Sequence, residues 1–396
     1  MKKVAMIGPE LCPIPPIRGG ATELWIEKAA HALKRYKPFV FSPGDPALPV
    51  QETVGKVEYI RIQVSPIKKF LYNMFNAYLS DYENKIARIL EGIDPDVIHI
   101  HNRPLLIPVF RRSFPKKKII FHMHNLYNYL GDKERPSGNF EIPTDLTIGC
   151  SCFVLDSEKN RMVKGSNRQA VVYNGVDTDT FVPAWLRKAE ALEFRRQYGL
   201  EGKKVVLFTG KIRESKGVDV VFRAMKEVFR REQQAILVLA GGTGFGYKRA
   251  DRKTEFYNRL RKEIEPYRER VLLLGFIPPR EMHRIYVLGD IFVAPSQLDE
   301  GLGMVFLEAS SCGLPIISTR QGGIPEAVVD QKTGLLLEEK NNIKELSDKI
   351  LYLLQHPQYM RELGENGRRF TVEYFSWVRI AQITEGLYDS LFDPIN

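Results

Sequence analysis

Short apolar runs alternate with longer amphipathic segments along almost the whole chain, and most runs end in a glycine or proline turn. Apolar runs of about four to eight residues between such turns predict buried strands, and the amphipathic segments predict helices. Regular alternation of strand and helix is typical of parallel sheets covered by helices on both faces. Strands are predicted at residues 4–7, 39–42, 57–62, 96–101, 118–125, 148–155, 204–210, 235–240, 271–275, 290–294, 315–319 and 334–337. The pattern therefore predicts an α/β protein with two doubly wound, Rossmann-like halves.

Length and charge narrow the class of protein. The 396 residues exceed what one hydrophobic core usually supports, so two domains are expected. A formal net charge of +10 favours anionic partners such as sugar nucleotides, nucleic acid or an anionic membrane surface. Basic and aromatic residues do not interleave as they do in RNA-binding motifs, so nucleic acid is not expected as a partner. The four cysteines are too few and too scattered for a disulfide framework, which favours the reducing cytoplasm.

The stretch 294–326 contains two successive units of strand, glycine turn and helix. Glu300 precedes the first glycine loop and Glu308 follows it, with seven residues between them. Ligands of open α/β sheets bind at the carboxyl ends of the strands, where both turns fall. Main-chain N–H groups in such loops and helix starts bind anions. In this stretch, the main-chain N–H groups expected to bind an anion are those of Gly301, Leu302, Gly303, Met304 and Val305.

Three cations follow the predicted strand at 204–210, namely Lys211, Arg213 and Lys216. Lysine and arginine side chains at a strand-to-helix turn suit a diphosphate. Gly241, Gly19 and Gly20 mark further turns that follow predicted strands. Since no Gly-x-Gly-x-x-Gly follows the first strand, a dinucleotide is disfavoured.

The combination of Pro295-Ser296, the Glu300 and Glu308 pair, and Gly-Gly-Ile-Pro-Glu at 322–326 resembles family 4 of the retaining, nucleotide-sugar-dependent glycosyltransferases. The subgroup of spore-coat and polysaccharide-biosynthesis proteins is one candidate within that glycogen-synthase-like family. The resemblance implies the GT-B architecture, in which two Rossmann-like domains face each other across a cleft. It implies an acceptor-side domain at 1–178, a nucleotide-sugar-binding domain at 179–375, and a C-terminal helix at 376–396 that packs back on the first domain.

The same resemblance implies roles for individual residues. His124, Glu300 and Lys216 are expected to be catalytic, with His124 and Glu300 reaching the donor sugar. Glu308 is expected to accept hydrogen bonds from the ribose hydroxyls. The residues expected to bind the donor are Gly19, Gly20, Lys211, Arg213, Lys216, Gly241, Gly301, Leu302, Gly303, Met304, Val305 and Glu308.

Family members usually carry arginine directly after the glycine that ends strand 204–210, where this chain has Lys211. An arginine offers a planar, two-pronged contact that lysine lacks. Whether Lys211 or Arg213 contacts the diphosphate is therefore left open.

Four histidines follow a period of two, His99 and His101 in one predicted strand and His122 and His124 in another. Such a pattern suggests a metal site at first sight. However, the two strands need not be adjacent or in register, and no cysteine or aspartate joins them at ligand spacing. No metal site is expected, and His99, His101 and His122 are interpreted as strand residues.

The expected activity is retaining, metal-independent transfer of a hexose from a UDP- or GDP-type sugar to a glycan, lipid or protein-borne acceptor, with no cofactor besides the donor. A glycoside hydrolase is disfavoured. Its carboxyl groups lie about 5–5.5 Å apart, whereas eight helical positions span about 12 Å. A nucleotide-sugar epimerase of the same architecture and a non-catalytic carbohydrate-binding or spore-coat protein stay open as alternatives.

Contact with a membrane is a further open expectation. Residues 103–118 are rich in lysine and arginine, and the segment 68–78 places lysines beside aromatic and apolar residues. Basic amphipathic stretches can lie on anionic bilayers, although the aromatic residues equally suit a hydrophobic core. Since no stretch approaches 18 consecutive apolar residues, a cytoplasmic protein is expected, with peripheral contact at the inner membrane face as an option.

Overall fold

The computed structural model describes residues 1–10, 12–17, 19–63, 80–126, 143–158, 168–244 and 254–393. The chain divides into two compact units. The first comprises Met1–Asn174 together with Trp377–Asn396, and the second comprises Gly175–Ser376. The borders expected from the sequence are 178/179 and 375/376.

The first unit is built on a sheet of eight strands. They are β1 Lys2–Ile7, β2 Tyr36–Pro43, β3 Gln51–Val54, β4 Val57–Ile62, β5 Val97–His101, β6 Lys118–Met123, β7 Leu146–Gly149 and β8 Gln169–Val171. Their order is β3-β4-β2-β1-β5-β6-β7-β8, and only β3 at the edge runs antiparallel to its neighbour. The strand order reverses at β1, which lies between β2 and β5.

Helices cover both faces of this sheet because its central strands β2, β1, β5 and β6 are buried on both sides. They are α1 Ala21–Ala32, α2 Ser80–Ile93, α3 Ile107–Ser113, α4 Cys152–Glu158 and the C-terminal helix Trp377–Ser390. On one face, Trp25 of α1 and Tyr388 of the C-terminal helix are buried in the same core as Val4 of β1. On the other face, Phe110 of α3 packs in a separate core with Ile98 of β5.

The second unit contains a sheet of six parallel strands. They are β9 Lys204–Thr209, β10 Ala235–Ala240, β11 Val271–Gly275, β12 Ile291–Ala294, β13 Ile316–Thr319 and β14 Gly334–Leu337. Their order, β11-β10-β9-β12-β13-β14, is that of a dinucleotide-binding Rossmann sheet. The order reverses at β9, so a ligand is expected at the carboxyl ends of β9 and β12.

One helix of the second unit, at residues 304–311, carries three of the residues that the sequence singles out, Met304, Val305 and Glu308. The helices of this unit are α5 Lys188–Gln197, α6 Val218–Arg231, α7 Glu255–Ile264, α8 Met282–Tyr286, α9 Met304–Ser311, α10 Ile324–Ala327, α11 Ile343–Gln355 and α12 Pro357–Phe375. Met225 of α6 and Leu346 of α11 are both fully buried. The Asn342 side chain accepts a hydrogen bond from Glu345 N and so caps α11.

The strand predicted at 148–155 is wrong beyond its second residue. Strand β7 ends at Gly149 and helix α4 begins at Cys152. The chain turns sharply here, since a Cβ on Gly149 would lie only 2.9 Å from the Ser151 carbonyl oxygen. Ser151 Oγ then accepts a hydrogen bond from Val154 N at 3.0 Å, as an N-cap does. Apolar composition alone does not distinguish a buried strand from a short buried helix.

None of the helices in the described ranges combines the length and apolar character needed to cross a bilayer. The basic and aromatic segment 68–78 lies outside the described residues.

Candidate active site

An ion pair lies where the carboxyl ends of β9 and β12 meet. Lys216 Nζ pairs with Glu300 Oε1, and Ser296 Oγ donates to the same oxygen at 2.8 Å. The two charged side chains keep 36% and 19% of their surface exposed. A partly exposed pair adds little to stability. Little stability is therefore lost when Lys216 and Glu300 separate, so each of them can bind a charged or polar group of a ligand instead.

Two glycines allow the loops at this edge to touch through their main chains. Gly217, with φ +68°, precedes α6, and a Cβ there would lie 2.0 Å from the Pro295 carbonyl oxygen. Gly241 follows β10, and a Cβ there would lie 1.7 Å from the Gly210 carbonyl oxygen. A side chain at either position would force the loops apart. The glycines thus hold the loop after β9 against the ends of β10 and β12.

The loop after β9 carries three cations close to one another. Burial, followed by the charges of Arg213 and Lys216, lowers the pKa of Lys211 to about 7, while Glu300 acts in the opposite direction. Arg213 Nε donates to the Thr243 carbonyl at 3.3 Å. The charges of Arg213 and Lys216 that oppose protonation of Lys211 create a positive potential that a polyanion would relieve.

Glu308 is held by a short chain of hydroxyl groups. Tyr286 Oη donates to Glu308 Oε2 at 2.7 Å and lies 2.8 Å from Thr209 Oγ1. Loss of solvation raises the pKa of Glu308 to about 7, and the hydrogen bond from Tyr286 lowers it in part. Among the described residues, Glu308 Oε1 has no hydrogen-bond partner, so one carboxylate oxygen is left for a ligand.

The glycine loop between the two glutamates is fixed at its first residue. The Glu300 carbonyl accepts a hydrogen bond from Gly323 N at 2.8 Å, and Glu300 forms a parallel bridge with Gly322. Helix α9 then begins at Met304 after Gly303. Leu302 is only 1% exposed, so its side chain belongs to the core, and only its main chain can serve a ligand.

In the first unit, His124 lies at the end of β6 and is anchored by Asn102. His124 N donates to Asn102 Oδ1 at 2.7 Å, and Asn102 Nδ2 donates to Thr22 Oγ1 at 3.0 Å. Asn102 thereby joins the ends of β5 and β6 to the start of α1, which Gly19 and Gly20 precede. Burial lowers the pKa of His124 to about 3, so its imidazole is neutral at pH 7. The ring can act through hydrogen bonds but not as a cation.

His99, His101, His122 and His124 form a histidine cluster around Trp25. Strands β5 and β6 are adjacent, with His101 paired to His122 in register, so the objection that these strands need not be neighbours is wrong. Nitrogens of His99, His101 and His122 lie within 4.8 Å of one another. Burial first, and neighbouring imidazoles second, hold the pKa of each of these three well below its ordinary value. The cluster therefore consists of neutral imidazoles, which is also the form in which histidine ligates a metal ion.

Three residues at these sites are not identified from the sequence: Thr209, Tyr286 and Asn102. Tyr286 is the last residue of α8, and nothing in the sequence pattern indicates that it faces Glu308. Asn102 has one usable signal, because it is a polar residue directly after a predicted strand. Its φ of +55° also marks a tight turn, which asparagine tolerates.

Comparison with known proteins places the chain among glycosyltransferases. The family model "Glycosyltransferase Family 4" matches residues 18–180, and "Glycosyl transferases group 1" matches residues 190–370. YtcC of Bacillus subtilis, named provisionally as a glycosyltransferase, is 29% identical over 100% of this chain and 93% of its own length. Spore coat protein SA of the same organism is 28% identical over 98% and 99%.

A solved structure supports the same architecture. Anabaena HepE in complex with UDP-glucose superposes with a TM-score of 0.74 at 18% identity, covering 98% of this chain and 100% of that one. The two α/β units, each built on a mainly parallel sheet, and the two family models define a glycosyltransferase of the GT-B class. Within that class, the chain belongs to glycosyltransferase family 4. The family and fold class expected from the sequence are thereby confirmed.

Proposed function

We propose that the protein transfers a hexose from a UDP- or GDP-type sugar to a glycan, lipid or protein-borne acceptor, with retention of anomeric configuration and without a metal ion. The observation that carries this proposal is the position of Lys211, Arg213 and Lys216 beside Glu300, at the point where the strand order of the second sheet reverses.

Donor binding would begin with an exchange of partners. The diphosphate takes the place of Glu300 at Lys216, with Lys211 or Arg213 as the second cation. Glu300, still held by Ser296, then accepts hydrogen bonds from the donor sugar. Glu308 Oε1 accepts from the ribose hydroxyls, because Oε2 is already engaged by Tyr286.

The chemistry follows from charge stabilisation. The bond between the anomeric carbon and the diphosphate oxygen breaks, and that oxygen keeps both electrons. The acceptor hydroxyl bonds to the anomeric carbon on the same face, and its proton passes to the departing diphosphate. The cations after β9 stabilise the negative charge that develops, which is the role that Mg²⁺ plays in metal-dependent transferases. Neutral His124 contributes hydrogen bonding to the donor sugar.

A thermal-shift panel with UDP, GDP, ADP and their sugar derivatives tests this function. A ligand present at 100 times its Kd should stabilise the protein by about 2.7 kcal/mol. Stabilisation and turnover should persist in EDTA, and NMR of the product should show the donor's anomeric configuration. Loss of turnover in EDTA would contradict metal independence, an inverted product would contradict retention, and release of an epimerised nucleotide sugar would indicate the epimerase.

The basic run at 103–118 bears on which class of acceptor the protein uses. Lys117 Nζ lies 2.6 Å from Asp94, and Arg111 lies 2.6 Å from Asp145, so part of this charge is neutralised within the unit. This pairing favours a soluble or protein-borne acceptor over a lipid. The protein should stay in the supernatant with phosphatidylglycerol vesicles at low salt. Sedimentation that disappears when Lys116, Lys117 and Lys118 become glutamate would instead indicate a lipid acceptor.

A further inference from the structure

Tyr286 stands out because a fully buried hydroxyl serves a partly exposed carboxylate at the candidate donor site. Its side chain is 0% exposed, and its ring packs 5.8 Å from the ring of Phe181 and 5.8 Å from that of Phe292. A ring held on two sides cannot swing away, so the hydroxyl oxygen occupies a fixed position.

That hydroxyl has a defined direction of donation. A tyrosine carries one proton, and an ionised carboxylate only accepts. Thr209 Oγ1 therefore donates to Tyr286 Oη at 2.8 Å, and Tyr286 Oη donates to Glu308 Oε2 at 2.7 Å. Hydrogen bonds to a charged acceptor are stronger than neutral ones. The chain from β9 through α8 to α9 thus favours the ionised form of Glu308 and orients it.

We propose that Tyr286 is a positioning residue for nucleotide recognition, which with Thr209 favours the ionised form of Glu308 and directs its free Oε1 at the ribose hydroxyls of the donor. This rests on the proposed function, since it assigns the nucleoside part of the donor to Glu308. A glutamate free to rotate about its side-chain bonds would have to be ordered by each incoming ligand. Tyr286 restricts the orientation of the Glu308 side chain before the ligand binds.

The pH response near Glu308 is simple enough to test this idea. The titratable side chains that interact with it are Tyr286 from α8 and Cys312 after α9. Burial raises the pKa of Tyr286 and Cys312 well above their ordinary values. Neither of these two changes charge between about pH 6 and pH 8.5, so Glu308 is the group of this set that titrates there.

The experiment measures the Kd of UDP and GDP for wild type and Tyr286→Phe from pH 6 to pH 8.5. The Kd of the variant divided by the Kd of wild type gives a ratio at each pH. In this ratio, the titration of the ligand and of groups that the substitution leaves unchanged cancels. Loss of the hydroxyl should weaken binding about tenfold at pH 6.5, because the hydrogen bond that favours ionised Glu308 is gone. The ratio should fall to within about threefold at pH 8.5, where Glu308 is ionised in both proteins. Inorganic diphosphate, which has no ribose, should bind both proteins equally.

Two further variants complete the design. Thr209→Val removes the first hydroxyl of the chain with little change in shape and should change the ratio in the same direction by a smaller factor. Thr209→Val also replaces Tyr286→Phe as the test variant if Tyr286→Phe does not fold. Tyr59→Phe is the matched control, since Tyr59 is equally buried and its hydroxyl bonds His31 in the first unit. Its ratio should stay near one at every pH.

The outcomes separate the two proposals. A folded Tyr286→Phe that binds UDP and GDP with wild-type Kd at pH 6.5 would overturn the positioning role. A constant ratio across the pH range would overturn it too, because a structural defect does not depend on the charge of Glu308. Failure of wild type itself to bind any nucleoside diphosphate would instead contradict the proposed function.

Discussion

Two groups at the candidate donor site titrate near neutrality and respond to a donor in opposite ways. The pKa of Lys211 is lowered to about 7 and that of Glu308 is raised to about 7. A bound diphosphate favours the charged form of Lys211, so the lysine takes up a proton on binding. Ribose hydroxyls that donate to Glu308 favour its ionised form, so the glutamate releases one. Donor binding should therefore exchange protons with the solvent in a pH-dependent direction.

The size of this exchange follows from the two pKa values. At pH 8, about nine tenths of Lys211 is neutral and about one tenth of Glu308 is protonated, so binding takes up about 0.8 proton. At pH 6 these fractions are reversed, and binding releases about 0.8 proton. At pH 7 the two nearly cancel. The affinity should accordingly be highest near pH 7, because it falls on the acid side as Glu308 is protonated and on the alkaline side as Lys211 is neutralised.

Isothermal titration calorimetry in two buffers of different ionisation enthalpy measures the proton count directly. The ligand should be a sugar nucleotide, because its doubly esterified diphosphate does not titrate in this range. Lys211→Arg is the matched variant, since arginine remains charged throughout and restores the residue usual in the family. It should abolish uptake at pH 8 and keep the release at pH 6. Equal proton counts for wild type and Lys211→Arg at pH 8 would refute the assignment.

Three further outcomes are expected. Glu308→Gln should weaken binding of the sugar nucleotide by about 1.5–3 kcal/mol, the worth of a charged hydrogen bond; an unchanged Kd in the folded variant would remove Glu308 from the site. Lys216→Ala should lower kcat more than Lys211→Ala if Arg213 is the second phosphate contact, and wild-type turnover of both Lys211→Ala and Arg213→Ala would place the phosphate contacts elsewhere. The imidazoles of the histidine cluster have lowered pKa values in the folded chain, so they stabilise the fold only while they are neutral. Their contribution to the free energy of unfolding should be complete above about pH 6.5 and should be lost as the pH falls. A urea midpoint that is constant from pH 7.5 to pH 5.5 would contradict this.

The strands and the donor-side loops could be predicted because they depend on local patterns. A central strand such as β10 is apolar throughout, and Gly241 directly after it marks the turn. The physical need for that glycine, the approach of the Gly210 carbonyl after the neighbouring strand β9, is not visible along the chain. The spacing of Glu300 and Glu308 is visible along the chain, and the ion pair of Glu300 with Lys216 joins two loops that were both predicted.

Other features depend on which segments become neighbours, which the sequence does not state. The contact of Tyr286 with Glu308 exists because α8 and α9 lie together at the carboxyl end of β9. The histidine cluster needs the pairing of β5 with β6, and the antiparallel strand β3 is a four-residue edge with no apolar face to signal it. The wrong end of β7 has a local cause instead, because an apolar run does not show that the chain turns at Gly149 and continues from Cys152 as a short buried helix.

The C-terminal helix has a consequence for how the protein is made. Ile380 and Tyr388 complete a core that also contains Val4 and Trp25, and Glu385 accepts a hydrogen bond from Lys34 N at 2.6 Å. The ribosome therefore releases all of the second unit before the first can close that core, although the first unit is synthesised earlier. Until the last residues emerge, one apolar face of the nascent first unit is uncovered. Premature termination near residue 376 would leave the later-made unit whole and the earlier-made one exposed to aggregation.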